Sequence, residues 1–350
     1  MSKQLRGSIL LFLTAFIRGT SFVAQKSGMD TISPVAFNGI RTLIGACSLL
    51  PVIAILDMRR KSRSAQDGPD LSALPPQERR ALMIMNPEDQ NAMLALPAAE
   101  RTEAIAKQKK LLVIGGICCG LFLMAAGNVQ QVGMYYTTAG KTGFITALYV
   151  VLVPIVGLFL KKKVPPIFWA CVAASAVGLY LLCIPADGGF GDVNKGDVIV
   201  FICAFLFTGH ILCIDYFSPK VDGVKMSCIQ FFVAGGISCI LMFIIDPALG
   251  FSLPNLSDLQ AGWFQLCYAG IMSCGVAYTL QIVAQADVNP TLASMLLCLE
   301  SVFAVLAGAV ILGEGMGTRE IIGCILMFAA ILVAQLPSKE DRENPDKLKD

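Results

Sequence analysis

The chain has 350 residues, of which 55% are hydrophobic and only 15% are charged. Soluble domains carry about 25% charged residues, so a water-soluble fold could not bury this much apolar surface. The formal net charge of +2 gives no sign of a nucleic-acid partner.

Ten apolar stretches, each long enough to cross a lipid bilayer, fill most of the chain. A hydrocarbon core of roughly 30 Å needs about 20 helical residues, and backbone polar groups in lipid must be satisfied within each segment. The sequence therefore predicts an all-α membrane protein that contacts the bilayer. The predicted transmembrane helices lie at 7–25, 34–57, 111–132, 141–160, 166–184, 197–217, 226–245, 262–284, 290–312 and 320–336.

The distribution of Lys and Arg predicts the orientation. With the amino terminus inside, 21 of the 27 basic residues lie on predicted cytoplasmic segments, whereas 3 lie on the opposite side. Because basic residues accumulate in cytoplasmic loops, we expect both termini in the cytoplasm. We expect a multi-pass protein of the cell (inner) membrane.

One long polar insertion, 58–110, interrupts the apolar pattern. It contains a short internal echo, in which the Ala-Leu-Pro-x-x-Glu-Arg pattern of 73–79 returns at 95–101. Pro followed by Glu is typical of helix starts, so two short amphipathic helices are predicted. A solvated linker or a helical hairpin at the headgroups is favoured over a regulatory or partner-binding role.

The 13 cysteines lie within apolar stretches, and none forms a C-x-x-C pair. We interpret them as packing residues rather than as metal ligands or cross-links. No metal and no cofactor is expected.

The chain also shows an internal duplication. Residues 137–143 align with 290–296, and the same shift aligns Asn128 with Gln281. Because an odd number of spans separates the copies, they would be inverted relative to each other, as in many secondary transporters. The predicted units are two inverted five-helix repeats, 1–185 and 186–337, and a cytoplasmic tail, 338–350. A substrate site is expected near the midplane, where the repeats meet.

Several motifs support a family resemblance. They are Arg18–Val23, Pro34–Phe37, Arg41, Tyr136–Lys141, Leu148–Pro154, Gly196–Asp197, Leu299–Ala304 and Leu312–Glu314. In this order the chain resembles the EamA-type members of the drug/metabolite transporter superfamily. The resemblance implies a ten-helix inner-membrane carrier, often an exporter of amino acids, metabolites or drugs. The family usually has Trp where Arg18 stands and Pro where Ser301 stands.

Ionisable side chains at bilayer depth each need a cavity, a partner or a function. Arg41 and Glu300 are expected to pair or to face one wet cavity, although Arg41 could instead form a fixed structural pair or extend to the headgroups. Arg18 could face the cavity or extend toward the outer surface. Lys141 begins a helix, where it could bind a substrate anion or serve as an interfacial anchor.

Polar side chains at helical spacing complete the candidate site. His210 would suit proton coupling, but a hydrogen bond across helices is the favoured role. Two stripes are predicted to approach each other and to line a cavity, with helix packing as the alternative. One contains Asn128, Gln131 and Tyr135, and the other contains Tyr278, Gln281 and Gln285.

These observations predict a secondary-active carrier that works by alternating access. The excess of basic over acidic residues inside the spans favours a small-molecule substrate with an anionic group, and protons are the candidate coupling ion. The chain lacks the G-x-x-x-x-G-K-[ST] phosphate loop of ATP-driven pumps. An intramembrane enzyme and a receptor or channel are the alternatives, but no catalytic motif or catalytic residue is identified. A homodimer is left open.

Overall fold

A computed structural model describes residues 3–67, 69, 71–85, 87–137, 139–161, 164–183, 195–312 and 317–334. Within these ranges the regular secondary structure is helical and contains no strand. The helices are α1 (Lys3–Gly28), α2 (Pro34–Asp67), α3 (Pro76–Leu82), α4 (Pro87–Leu94), α5 (Ala98–Tyr136), α6 (Ala139–Ala147), α7 (Tyr149–Phe159), α8 (Pro166–Cys183), α9 (Lys195–Phe217), α10 (Gly223–Ala248), α11 (Leu256–Ala261), α12 (Trp263–Cys267), α13 (Thr279–Gln285), α14 (Pro290–Leu312) and α15 (Thr318–Ala334). The predicted tail, 338–350, lies outside the described residues.

Seven of the described helical segments are long and apolar enough to cross a membrane. They belong to α1, α2, α5, α9, α10, α14 and the continuous run Trp263–Gln285, which joins α12 and α13 through a π-helical segment, Tyr268–Tyr278. Three shorter apolar helices are Ile145–Phe159, Pro166–Leu181 and Ile321–Ala334. The chain is therefore a multi-pass membrane protein. Each of the ten predicted ranges overlaps one of these helical segments, although α2 continues to Asp67, beyond the predicted end at 57, and α5 begins at Ala98, well before the predicted start at 111. The fourth range is divided at Leu148 into α6 and α7.

The insertion folds into a small unit of its own. Leu71, Leu82 and Ile105 form a separate apolar cluster together with Ala81. The first copy of the echo begins α3, as predicted, but the second begins the long helix α5 instead of a second short helix. No Gly or Pro interrupts residues 98–114, so the helix continues into the third span.

A buried carboxylate joins α3 to α5 within the insertion. The Glu78 carboxylate accepts hydrogen bonds from Thr102 and from Arg101, whose Nε lies 2.9 Å from Oε2. The Thr102 hydroxyl, together with the Arg101 guanidinium, lowers the pKa of Glu78 although burial opposes the shift. This contact fixes α3 against the start of α5.

Charged side chains connect α2 to α10 at the end of the bundle that carries the insertion, here called the insertion face. Arg60 Nη1 lies 2.5 Å from Asp222 Oδ2, and Lys225 Nζ lies 2.9 Å from Asp57 Oδ1. Asp222 is also the N-cap of α10, because its Oδ1 accepts from the backbone N–H groups of Val224 and Lys225. Burial opposes ionisation, but the Arg60 and backbone hydrogen bonds prevail and lower the pKa of Asp222.

The same two helices are connected at the opposite end. Asp246, near the end of α10, is fully buried and accepts hydrogen bonds from the Ser33 hydroxyl at 2.8 Å and from the N–H groups of Val35 and Ala36 at 3.1 and 3.0 Å. A carboxylate at this position satisfies amides of the α2 N-terminus that have no partner within the helix. The pair α2 and α10 is thus held at both ends.

Candidate functional site

A buried ion pair lies between the first and ninth predicted spans. Arg18 Nε on α1 lies 2.9 Å from Glu300 Oε2 on α14, and the two side chains are 7% and 1% exposed. Arg18 Nη1 also donates to Gln281 Oε1 at 3.2 Å. Of the two alternatives for Arg18, extension toward the outer surface is therefore wrong, because its charge is compensated inside the bundle.

Gly19 explains why these two helices approach closely enough for the pair to form. A Cβ atom at Gly19 would lie 2.5 Å from Phe303 Cβ and 2.6 Å from the Glu300 carbonyl oxygen. Only glycine therefore permits this approach of α1 to α14 without displacement. Arg18, the adjacent residue, is brought beside Glu300 by the same contact.

Aromatic rings surround the Arg18 guanidinium. Its Cζ lies 4.5 Å from the ring centroid of Tyr278 and 5.7 Å from that of Phe207. Both distances are within the range of cation–π attraction, which strengthens when water is excluded. Tyr278 ends the π-helical segment, a rare geometry that often occurs at functional sites.

The Glu300 carboxylate keeps hydrogen-bonding capacity. Neither of its oxygens accepts a hydrogen bond from a described residue, although Oε2 contacts the charged Arg18 side chain. An ionised carboxylate offers about four acceptor positions. Glu300 can therefore accept further N–H or O–H donors.

A second arginine lies in a neutral network. Arg41 Nε and Nη2 donate to Asn38 Oδ1 at 3.2 and 2.9 Å, and Asn38 donates to Asn128 Oδ1 at 2.7 Å. Asn128 donates onward to Ser238 Oγ at 3.0 Å. Arg41 is 5% exposed and forms no ion pair with a carboxylate among the described residues. The expected pairing of Arg41 with Glu300 is wrong, because Arg18 lies nearer on the adjoining helix.

His210 follows the role favoured from the sequence. It is fully buried on α9, and its Nε2 lies 3.1 Å from Gln230 Oε1 on α10. This is a hydrogen bond across helices. Nδ1 has no partner among the described residues, and the ring packs edge-on against Tyr278 with centroids 6.0 Å apart.

The first predicted polar stripe is only partly correct. Asn128 and Gln131 are buried, whereas Tyr135 is 50% exposed and packs against Phe251 with ring centroids 4.6 Å apart. Tyr135 lies near the end of α5, where the connection after α10 offers an aromatic partner outside the site. It therefore does not belong to the stripe.

The residues of the second stripe, Tyr278, Gln281 and Gln285, are all buried, and Gln281 donates to Gln285 at 3.1 Å. No hydrogen bond joins the two stripes within the described ranges. Helix α1 connects to both, because Gln131 donates to Gln25 at 2.7 Å and Arg18 donates to Gln281.

The side chain of Lys141, on α6, lies outside the described part of the chain. Sequence reasoning missed Asn38, Gln25 and Gln230 as members of the buried network. Asn38 lies one turn before Arg41 and Gln25 two turns after Arg18, so helical spacing could have identified both. No comparable signal distinguishes Gln230.

Chemically, the site offers one internally compensated ion pair, one guanidinium with neutral partners, and carboxylate and imidazole atoms that receive no hydrogen bond from the described residues. No group of three or more potential metal ligands occurs among the described residues. Ionisable residues at this depth each need a cavity, a partner or a function. The fold and the site together define a multi-pass helical membrane protein with a buried polar centre.

Comparison with known proteins gives the family. The EamA-like transporter family model matches residues 5–73 and 194–335, which together are more than half of the chain. The chain belongs to the EamA-like transporter family, and it is a transporter.

Curated relatives support the same assignment. An uncharacterized transporter of Archaeoglobus fulgidus is 24% identical over 95% of this chain and 87% of its own length. An uncharacterized transporter of Clostridium kluyveri is 22% identical over 71% of this chain and 81% of its own length. A solved crystal structure superposes with a TM-score of 0.65 at 16% identity, covering 95% of this chain and 98% of that one, and shows likeness of fold.

Proposed function

We propose that this transporter is a secondary-active carrier that exports small metabolites bearing a carboxylate or another anionic group, including amino-acid-like zwitterions. The observation that carries the proposal is Arg41. A buried guanidinium without an opposite charge is costly, because desolvation is not repaid by the neutral Asn38 amide alone. A substrate carboxylate would supply the missing charge with bidentate geometry.

Glu300 extends this proposal to zwitterions. Its carboxylate is buried and its oxygens lack hydrogen bonds within the described residues, so a substrate ammonium could donate there. Such a group would compete with Arg18 for Glu300. Movement of Arg18 away from Glu300 would then couple binding to the packing of α1 against α14.

The order in which the helices pack supports two inverted repeats of five spans. Each predicted span can be matched to the span five places later. Under this match the contact between α1 and α14 corresponds to the contact that α9 makes with α6 and α7. Likewise, the contact between α5 and α9 corresponds to the contact between the run Trp263–Gln285 and α1. The structure contains all of these contacts. The pairs α2 with α10 and α8 with α15 each map onto themselves. A twofold relation of this kind suits alternating access at the repeat interface.

Orientation and coupling complete the proposal. The basic segments favour a cytoplasmic insertion face in the cell membrane, with both termini inside. Protons are the proposed coupling ion, because Glu300 and His210 are buried and titratable, and the Tyr278 ring that His210 contacts also lies against Arg18, the ion-pair partner of Glu300. Transport insensitive to an imposed pH gradient would argue against this coupling.

Uptake into proteoliposomes tests the substrate class. A panel of labelled amino acids, organic acids and organic cations is compared for the wild type and for Arg41→Gln, with Arg59→Gln as a control because Arg59 is exposed on the insertion side. We expect Arg41→Gln to reduce transport of the anionic or zwitterionic substrate by about tenfold or more, the loss of one charge-assisted hydrogen-bond pair. Arg59→Gln should transport normally. Transport of cations alone, unchanged in Arg41→Gln, would overturn the proposal.

A further inference from the structure

A cavity of about 810 Å³ opens at the insertion face. Its walls come from the start of α1, the end of α2, the beginning of α5, the α9–α10 connection and the end of the run Trp263–Gln285. The insertion contributes a further wall through Ala81, Ile84 and Met85. Neither Arg18, Glu300 nor Arg41 lines it, so the cavity is separate from the buried polar centre.

The side chains around this cavity, which we call the basic cavity, are unevenly charged. Six basic residues line it, against two acidic ones, Asp222 and Asp287. The six are Lys3, Arg6, Arg60, Lys109, Lys220 and Lys225. Clefts lined by one sign of charge concentrate counter-ions of the opposite sign.

Internal pairing removes only part of this excess. Arg60 is paired with Asp222, and Lys225 is paired with Asp57. The other four, Lys3, Arg6, Lys109 and Lys220, are exposed and form no ion pair with another described residue. Four cations without an ion-pair partner among the described residues therefore line the cavity with one remaining carboxylate, that of Asp287; of these four, Lys220 lies over the Tyr216 ring, 3.2 Å from its centroid.

Ser218 provides an uncharged donor at the same place. It lines the cavity, is 5% exposed, and its hydroxyl has no hydrogen-bond partner among the described residues. A buried hydroxyl without a partner is costly, and rotation of this side chain toward the cavity would let it donate to a bound oxygen-rich ligand. Hydroxyl, ammonium and guanidinium donors around one volume are the set that binds phosphate groups.

We propose that the basic cavity is a binding site for a multivalent, phosphate-bearing anion, and that the insertion forms one wall of it. The phosphate belongs either to a dissolved phosphate compound or to a phospholipid headgroup, because the cavity lies at the helix ends. The site stands independently of the transport substrate.

Titration calorimetry with inorganic pyrophosphate on the full-length protein in neutral detergent tests the site. The cavity variant is Arg6→Gln with Lys109→Gln. The matched control is Lys107→Gln with Lys110→Gln, which removes two exposed charges from the same stretch of α5 that do not line the cavity. We expect pyrophosphate binding that weakens with added salt, and affinity at least about tenfold lower in the cavity variant but unchanged in the control. Equal melting temperatures of the two variants exclude misfolding as the cause.

A second arm identifies the source of the phosphate. The titration is repeated in nanodiscs of phosphatidylcholine alone and in nanodiscs containing phosphatidylglycerol. Loss of pyrophosphate binding in the anionic nanodiscs supports a headgroup ligand, and retention supports a dissolved ligand. No binding of pyrophosphate in any condition, or an equal loss in the control variant, would overturn the proposal. Transport assays do not enter the test, so its failure is distinct from that of the proposed function.

Discussion

At bilayer depth a charged side chain costs at least about 2.5–3.5 kcal/mol on insertion scales. The structure meets this cost differently for its three central charges. Arg18 and Glu300 compensate each other, whereas Arg41 has only amide partners in the described part of the chain. Substitution of Arg18 or Glu300 therefore tests a structural role, and substitution of Arg41 tests substrate binding.

The Arg18–Glu300 pair leads to a prediction about stability. Arg18→Gln and Glu300→Gln should each lower the free energy of unfolding by about 3–5 kcal/mol, because each leaves one buried charge without its partner. The double variant, with no charge at either position, should recover much of this loss. Thermal unfolding in detergent, followed by size-exclusion fluorescence, measures the three variants against the wild type. Additive losses in the double variant would contradict a direct pair.

The sequence was sufficient to identify most of the polar residues at this scale, but not their partners. Hydropathy alone singles out Arg18, Arg41 and Glu300, since charges stand out within apolar spans. Which arginine faces Glu300 depends on the rotation and separation of helices that are far apart in the chain. That separation is set by Gly19 and cannot be read from residue spacing within one helix.

At the scale of elements, close helix contacts depend on particular glycines, and α1 with α14 provides the prediction. Gly19→Ala should destabilise the protein by about 1–3 kcal/mol, because the new methyl group would overlap Phe303 and the backbone of Glu300. It should also weaken transport by separating Arg18 from Glu300. Thermal unfolding and proteoliposome uptake measure the two effects.

Gly236→Ala is the matched control. A Cβ at Gly236 would meet no atom within 4 Å, and alanine is favoured over glycine in helices by about 0.5–1 kcal/mol. This variant should be as stable as the wild type or slightly more so. If Gly19→Ala behaved like Gly236→Ala, close approach of α1 to α14 would not be required.

The elements themselves were largely predictable. Runs of apolar residues fix the positions of spans, because the bilayer sets both their length and their helical backbone. The break at Leu148 and the π-helical segment Tyr268–Tyr278 were not predicted, since a run of apolar residues does not distinguish an α-helix from a π-helix or from a helix with a break. The insertion continues into α5 because residues 98–114 contain no Gly or Pro. The prediction of a second short helix did not take this into account.

At the scale of the whole molecule, the pairing of α2 with α10 links the two proposed repeats at both ends. Asp246 caps α2 at one end, while Arg60 with Asp222 and Lys225 with Asp57 join the helices at the insertion face. Contacts at both ends favour motion of these two helices as one body. Rearrangement during transport would then fall on the contacts that α1 and α14 make around the buried pair.

The proposed inverted arrangement requires a definite orientation, which reporter fusions can measure. A fluorescent reporter that folds only in the cytoplasm should be active after Asp350 and within the insertion at Ser72, an exposed turn position before α3. A phosphatase that is active only outside the cytoplasm should be active when fused after Gly250, in the connection between α10 and α11. These expectations follow from the number of proposed spans. An even number of spans between the two termini places both on the same side of the membrane, whereas seven spans between the amino terminus and Gly250 place Gly250 on the opposite side. Phosphatase activity after Asp350, or cytoplasmic fluorescence after Gly250, would contradict ten spans with both termini inside, and with it the inverted repeat on which alternating access at this site depends.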